Sequence, residues 1–458
     1  MKATCHWFLS TLSVLLGLAV LHSAAAQVPE RTTYAFTNVN VIPMDGERLL
    51  EDQTVIVETG RITALGPAAE TAVPQDATRI DGRGKFLLPG LAEMHGHIPT
   101  SLADAQDVLM LYLAGGVTTV RGMQGHRSQL GFRRRVRAGQ MLGPRLRLAA
   151  PAMRGENVPD IATADRLVRS AKALGFDLLK VHEGLTAEVY AEIVRAATEL
   201  SLPWGGHVSE HVGIDGALGA HQSTIDHLDG YIEAMQPPDS PALRASGAEQ
   251  QRLFALHADA STIPELAHRT RQAGVAVVPT QMLWEVLRGA RDPVELAARP
   301  ENRYMPVATR ELWLQRATAA YSGTTREAAA RHAALRQQLL RTMHDEGVLI
   351  LLGTDAPQVF SVPGFSLHRE LPLMVEAGMT PYEVLRTGTV NVARFLSREN
   401  QSGVVAVGRD ADLLLLEANP LADIRAITRN AGVMVDGRWI PPELIAARLE
   451  AIAAKHVR

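Results

Sequence analysis

The stretch Leu88-Pro89-Gly90-Leu91-Ala92-Glu93-Met94-His95-Gly96-His97 is a largely apolar run that ends on two histidines. Read as a strand over 86–94, it delivers both imidazoles at its C-terminal end, and residues two apart in an extended chain point to the same side. Two imidazoles on one side can grip one metal ion. Alone the pair is a short motif of low specificity. Its weight comes from what recurs along the chain. Further apolar runs at 117–122, 145–150, 177–182, 202–207, 223–228, 275–280 and 348–354 also read as strands. Most are bounded by Gly or Pro. Helix-like segments such as Ala187 to Leu200 fall between them, the alternation expected of βαβ units. Eight parallel strands in one chain predict an α/β fold of the (β/α)8-barrel type, with chemistry at the strand C-terminal ends.

Working outward, the barrel is expected over 86–399, with two interruptions. Residues 229–274 and 281–347 are far longer than an ordinary strand–helix connection. Both are rich in Ala, Arg, Leu and Glu and read as helical. They follow strands six and seven, so they emerge on the functional face as walls or a lid, or equally as an oligomer contact. Beyond the barrel lie two β-rich pieces. Tyr34 to Ile42 and Thr54 to Val57 alternate or run apolar between Gly60, Gly66 and Gly82; Ala411 to Leu416 and Gly432 to Val435 repeat the pattern. Neither is of ordinary domain size. Together, as 27–85 and 400–458, they predict one small β-sandwich built from both chain ends.

The first residues are expected to lie outside the fold. Lys2 is followed by an apolar run from Phe8 to Leu21 and then Ala24-Ala25-Ala26. That is the order of a signal peptide over 1–26 with Gln27 as the mature N-terminus, and it predicts an exported protein, periplasmic or secreted. The single cysteine, Cys5, falls inside that signal. The mature protein is therefore expected to carry no disulfide, thiolate nucleophile or cysteine metal ligand. The 458 residues suffice for a barrel and a smaller domain, and 46% hydrophobic with 21% charged residues reads as globular. A net charge of -3 argues against nucleic acid as a partner.

Other ligand-type residues end other strands. His207 closes Leu202 to Gly206, His227 closes Ser223 to Asp226, and Asp355 closes Val348 to Thr354. In a barrel these ends converge on one point. Lys180 ends Phe176 to Leu179, and a buried ammonium is costly unless it is paired or loses its charge. Pairing with a barrel carboxylate such as Glu183 is one solution. Addition of carbon dioxide to the neutral amine is the other, and the resulting carbamate could bridge two cations. The other ligand-type residues favour the carbamate.

On these residues the chain resembles the amidohydrolase superfamily, in its imidazolonepropionase-like and prolidase-like branch. The resemblance runs through Leu88 to His97, Gly115-Gly116-Val117-Thr118-Thr119-Val120-Arg121, Lys180, His207, His227, Gly353-Thr354-Asp355-Ala356, Gly378-Met379-Thr380-Pro381 and Gly408-Arg409-Asp410-Ala411-Asp412-Leu413. It implies two divalent ions, with zinc the first expectation. His95, His97 and Asp355 would hold the first and His207 and His227 the second, bridged by carboxylated Lys180 and a hydroxide. Glu93 stands where the family often has Asp; not being a ligand, it is expected to matter little. Asp355 would serve as general base and then acid.

The expected reaction is hydrolysis of an amide or peptide C–N bond in a small substrate such as a dipeptide, an N-acyl amino acid or an aryl amide. Tyr231, just beyond His227, is a candidate donor to the substrate carbonyl. Arg121 is a candidate for a substrate carboxylate, with a structural ion pair as its alternative. His126 and His368 are candidate substrate contacts; His182, His211 and His221 read as structural. The same site could serve a lactonase or phosphotriesterase. A non-catalytic exported metal-binding protein is the rival from another class, and Asp355 argues against it because binding alone needs no proton shuttle. Self-association into a homo-oligomer is left open.

Overall fold

The computed structural model describes residues 28–457; the expected signal peptide, 1–26, lies outside the described residues. The strands are β1 (Tyr34–Val41), β2 (Leu50–Glu58), β3 (Arg61–Pro67), β4 (Thr78–Asp81), β5 (Phe86–Pro89), β6 (Leu91–Gly96), β7 (Val117–Gly122), β8 (Arg145–Leu148), β9 (Leu179–Val181), β10 (Trp204–Gly206), β11 (Thr224–Asp226), β12 (Ala276–Val278), β13 (Leu413–Leu416), β14 (Asn430–Val435) and β15 (Arg438–Ile440).

The two β-rich ends meet in one mixed sheet, in the order β15-β14-β13-β5-β1-β2-β3, with β4 pairing β1. Its centre is buried on both faces, as uninterrupted apolar strands require. Along β13, Leu413 and Leu415 join Phe36, Val55 and Leu87 in one core, whereas Leu414 and Leu416 join the large core of the rest of the molecule. The strand expected over 86–94 is therefore two strands. Phe86–Pro89 pairs with β1 and β13, and Leu91–Gly96 starts afresh against β7. Gly90 separates them, at a point where a β-carbon would overlap the Thr118 side chain.

The remaining strands form two parallel sheets, β6-β7-β8 and β12-β11-β10-β9. A continuous eight-stranded ladder was expected, and here the structure differs. β9 to β12 are only three residues each, and 348–354 carries no ladder at all. Backbone bonds nonetheless staple that extended segment between its neighbours: Leu351 N–H donates to Val277 O (2.9 Å), Met94 N–H to Leu352 O (2.8 Å) and Asp355 N–H to His95 O (2.7 Å). Isolated parallel bridges, Ala149 with Leu178 and Met153 with Val181, join β8 to β9. The ladders stop short because the chain turns immediately past them. His227 (φ 67°), Leu228 (φ 55°), Thr280 (φ 49°) and Asp355 (φ 61°) all adopt the left-handed conformation that non-glycine residues avoid. Such strain concentrates at functional positions.

The interruptions are helical, as read from sequence. The first contains helices Tyr231–Ala234, Gly247–His257 and Ile263–Ala273; the second contains Gln281–Leu287, Val307–Ser322 and Arg326–Asp345. Arg336, buried in the last of these, donates to His227 O (2.6 Å), to Gln281 Oε1 (2.7 Å) and to Pro279 O. Glu370 accepts from Gln281 N–H and Met282 N–H, both at 2.7 Å, at the first turn of Gln281–Leu287. An anion there satisfies amides that the helix itself leaves unbonded. Glu370→Ala would orphan two buried N–H groups, and the expected loss is about 2–4 kcal/mol. Denaturant unfolding checks the magnitude, and faster proteolysis within 281–347 would locate the loosening.

Candidate functional site

The site gathers at the C-terminal ends of the parallel strands. β6 carries His95 next to its last residue, with His97 just beyond its end. Lys180 lies in β9, His207 and His227 follow β10 and β11, and Asp355 follows the stapled segment. Asp355 is the hub. Its Oδ1 stands 2.5 Å from His97 Nε2 and 3.5 Å from His95 Nε2, and its Oδ2 stands 3.8 Å from His227 Nε2. Lys180 Nζ is 3.2 Å from His95 Nε2. The His207 and His227 rings lie 4.6 Å apart. The structure thus brings together His95, His97, Lys180, His207, His227 and Asp355, distant in sequence.

Three of these rings have their second nitrogen pinned. His95 Nδ1–H donates to Asp226 (2.7 Å), His207 Nδ1–H donates to Asp229 (2.7 Å), and His227 Nδ1 pairs with Thr280 Oγ1 (2.9 Å). A ring fixed through one nitrogen by an oxygen presents the other as a lone pair, the usual preparation of a metal-binding histidine. The fit is tested by His227 Nε2, which is buried and has no hydrogen-bond partner among the described residues. An orphaned buried nitrogen costs on the order of 1–3 kcal/mol, and a cation between it and the facing groups would satisfy it. Ligand atoms of His95, His227 and Asp355 all lie within 4.8 Å of one another, close enough to share an ion.

Burial sets the protonation states. It depresses His95 to about 4. It opposes ionisation of Asp355, yet the facing His95 and His97 hold that carboxyl well below its ordinary value. It also lowers Lys180 against the opposing pull of Asp355 and Asp226. Lys180 is 2% exposed, and Glu183, the partner considered for it, is exposed and does not bond it. Burial thus biases Lys180 towards the neutral amine, with His95 as its hydrogen-bond partner.

Several expected contacts are placed elsewhere. Arg121 is not open to a substrate. It is 1% exposed, and its guanidinium is spent on Met94 O (2.5 Å), Thr224 Oγ1 (3.0 Å) and both oxygens of Asp226 (3.1 and 3.0 Å). The structural ion pair is the correct reading. Tyr231 is fully buried with its hydroxyl on Thr270 Oγ1 (2.7 Å), so it cannot reach a substrate carbonyl. His126 caps the helix Arg127–Arg137 through Ser128 N–H. His368 Nε2–H donates to Gly115 O (3.0 Å), in a cleft lined by Glu301 and Asn430 and not by Asp355.

Other residues proved closer than the sequence suggested. Glu93 is not inert: buried and pushed up to about 8, it accepts from His95 N–H (2.9 Å), Thr354 N–H (2.9 Å) and Thr354 Oγ1–H (2.6 Å). It locks the His95 segment to the Asp355 segment. His182, read as structural, lies against His207, the ring centroids 3.9 Å apart and the planes tilted by 39°. Asp226, Asp229 and Thr280 were not singled out. Asp226 carried a signal, being an acid inside an apolar strand, as anomalous there as Lys180.

Two cavities are relevant. A narrow cleft of about 30 Å³ touches the site and is lined by His227, Asp229, Trp284 and Arg288 among others. A larger one, about 380 Å³, opens at the opposite ends of β6 to β8, among Thr118, Arg145 and Asp412, away from the chemistry.

Residues 86–440 match the amidohydrolase family. Imidazolonepropionase of Idiomarina loihiensis is 25% identical over 416 residues, 84% of this chain and 92% of that protein. Among solved structures, bottromycin amidohydrolase superposes with a TM-score of 0.71 at 24% identity, over 94% of this chain and 93% of the other. A Xaa-Pro dipeptidase with bound methionine in its active site gives 0.64 at 18% identity, over 90% of this chain and 100% of the other. At these identities the structural likeness is one of fold.

Proposed function

Since the chain belongs to the amidohydrolase family, and is thereby a hydrolase of C–N bonds, we propose that it cleaves an amide or peptide bond in a small substrate at a centre of two divalent metal ions. The reading rests chiefly on the unpartnered His227 Nε2 facing Asp355 and His95. In this reading the two parallel sheets are arcs of one (β/α)8 barrel, and the end sheet belongs to a β-sandwich domain. His95, His97 and Asp355 would hold one ion, and His207 and His227 the other. Lys180 would complete the set as its carbamate: the neutral Nζ would add to the carbon of carbon dioxide, one C=O bond becoming a carboxylate while the amine proton leaves to solvent. Bound metal polarises the substrate carbonyl and makes a water acidic near neutral pH.

The rest falls to the chain's own groups. Asp355 accepts the proton of the attacking water and returns it to the leaving nitrogen. Asp226, Asp229 and Thr280 hold the imidazoles in the orientation that presents the free nitrogen. Relatives named for imidazolonepropionase, bottromycin amidohydrolase and Xaa-Pro dipeptidase activities all point to C–N chemistry on small molecules. Zinc is the proposed metal, from nitrogen and oxygen donors. Export is proposed from the leader-like segment alone. Among the described residues no helix is long and apolar enough to cross a membrane.

The test is metal content per chain together with hydrolysis of dipeptides, N-acyl amino acids, aryl amides, lactones and phosphotriesters. About two metals per chain and chelator-sensitive amide cleavage are expected. Turnover of lactones or phosphotriesters alone would overturn the substrate class. Neither metal nor turnover after reconstitution with zinc and bicarbonate would overturn the enzyme.

A further inference from the structure

With Arg121 spent on Asp226, a carboxylate-bearing substrate needs another cation, and the second helical interruption supplies one. Arg288 follows the helix Gln281–Leu287, and its guanidinium stands over the Trp284 ring, 4.5 Å from the centroid. Arg288 Nε and Trp284 Nε1 are both buried, and among the described residues both lack a hydrogen-bond partner. Glu233, Asp229 and Glu183 are near enough to be felt electrostatically, but among the described residues none closes an ion pair with Arg288, and Asp229 already serves His207. Both side chains line the cleft that also reaches His227, whose ring lies 6.2 Å from that of Trp284.

Two unused donors on one wall, one of them cationic, call for an acceptor with negative charge. The cleft's 30 Å³ compares with about 10–15 Å³ needed to seat one water on this measure, so it admits a group the size of a carboxylate. The acid carbon of an N-acyl amino acid is separated from the scissile carbonyl by only a nitrogen and one carbon. An anchor beside a metal-facing imidazole is therefore placed for it.

We propose that Arg288 and Trp284 bind the free carboxylate of the substrate, and that the enzyme selects acyl amino acids or peptides with a free C-terminus over neutral amides. This deepens the amide-hydrolysis reading and rests on it.

The test uses N-acetyl amino acids with small, branched, aromatic, cyclic and acidic side chains, each beside its carboxamide. Acetate release and calorimetric binding are measured on the full enzyme and on Arg288→Met and Arg288→Lys. The expected result is a preference for the acids that Arg288→Met abolishes, with KM or Kd for them rising roughly 10- to 100-fold and kcat little changed. Arg288→Lys should restore part of the loss, since it keeps the charge without the fork. The thermal midpoint of Arg288→Met should hold, because among the described residues no ion pair closes on Arg288; a clear fall would assign Arg288 to structure and overturn the anchor. An acid preference that survives Arg288→Met, or none in the parent enzyme, would also overturn it. Acids that bind through Arg288 but are never cleaved would keep the anchor and overturn the proposed reaction. Neither binding nor cleavage would overturn both.

Discussion

Asp355→Asn is expected to lose roughly 10²–10⁴-fold in kcat, the range assigned to a positioned acid–base group, with KM little altered. Asparagine preserves the shape of the residue at the hub and can still accept from His97, which now lies 2.5 Å from Oδ1. It cannot take up and return a proton at neutral pH. The paired measurement is metal content. Retention of most of the metal with loss of turnover separates the proton-handling role from simple ligation. A variant that loses both together would make Asp355 a ligand and nothing more, and near-normal turnover would remove it from the chemistry altogether. The left-handed backbone at Asp355 favours Asn as the replacement, since Asn tolerates that conformation better than most residues.

Asp226→Ala should produce the largest loss of stability, about 3–5 kcal/mol, because it leaves the Arg121 guanidinium buried without its anion. Asp226 and Arg121 are 0% and 1% exposed, so water cannot take over. The double variant Asp226→Ala/Arg121→Met should recover much of the loss, and a cycle of the four proteins in denaturant measures the coupling. Additive losses would show that the pair contributes no more than its separate contacts. Metal affinity should fall roughly 10–100-fold in the single variant, as His95 loses the oxygen that orients it. Acid sensitivity gives a second readout. Burial opposes ionisation of Asp226, but Arg121 and His95 hold its carboxyl far below the ordinary aspartate value of 3.8. The stabilisation is therefore complete above that value and is lost only as the pH falls below it, towards the folded-state value. The variant should lack that acid-side contribution.

Why some of this was legible in the sequence follows from where each residue sits. The run 117–122 coincides with β7, because the β-branched Val117-Thr118-Thr119-Val120 between Gly116 and Gly122 favours a strand. The run 86–94 misled, since Phe86–Pro89 and Leu91–Gly96 are both apolar strands and periodicity cannot say that they join different sheets. The run 348–354 is extended without a ladder, a distinction made by partners distant in sequence. In the site, the ligand-type residues were readable as chemical anomalies closing apolar runs. Tyr231 failed as a substrate contact because proximity in sequence to His227 does not fix the direction of a helical side chain, and this one turns inward to Thr270. Arg288 was invisible. It lies in an Arg-rich helical stretch, where only the fold reveals which arginine lacks a partner.

The pairing of β5 with β1 on one side and β13 on the other has a kinetic consequence. β13 follows β5 by more than 300 residues, so on a ribosome or at a translocation exit Phe86–Pro89 emerges long before its second neighbour exists. Until then its edge presents unpaired amides beside an apolar face, the kind of surface that associates with other chains. Closing so long a loop is slow. Final assembly is therefore expected to await the last strands, and a chain interrupted before Leu413 should accumulate as aggregate or bind a holding chaperone rather than persist as a smaller active enzyme.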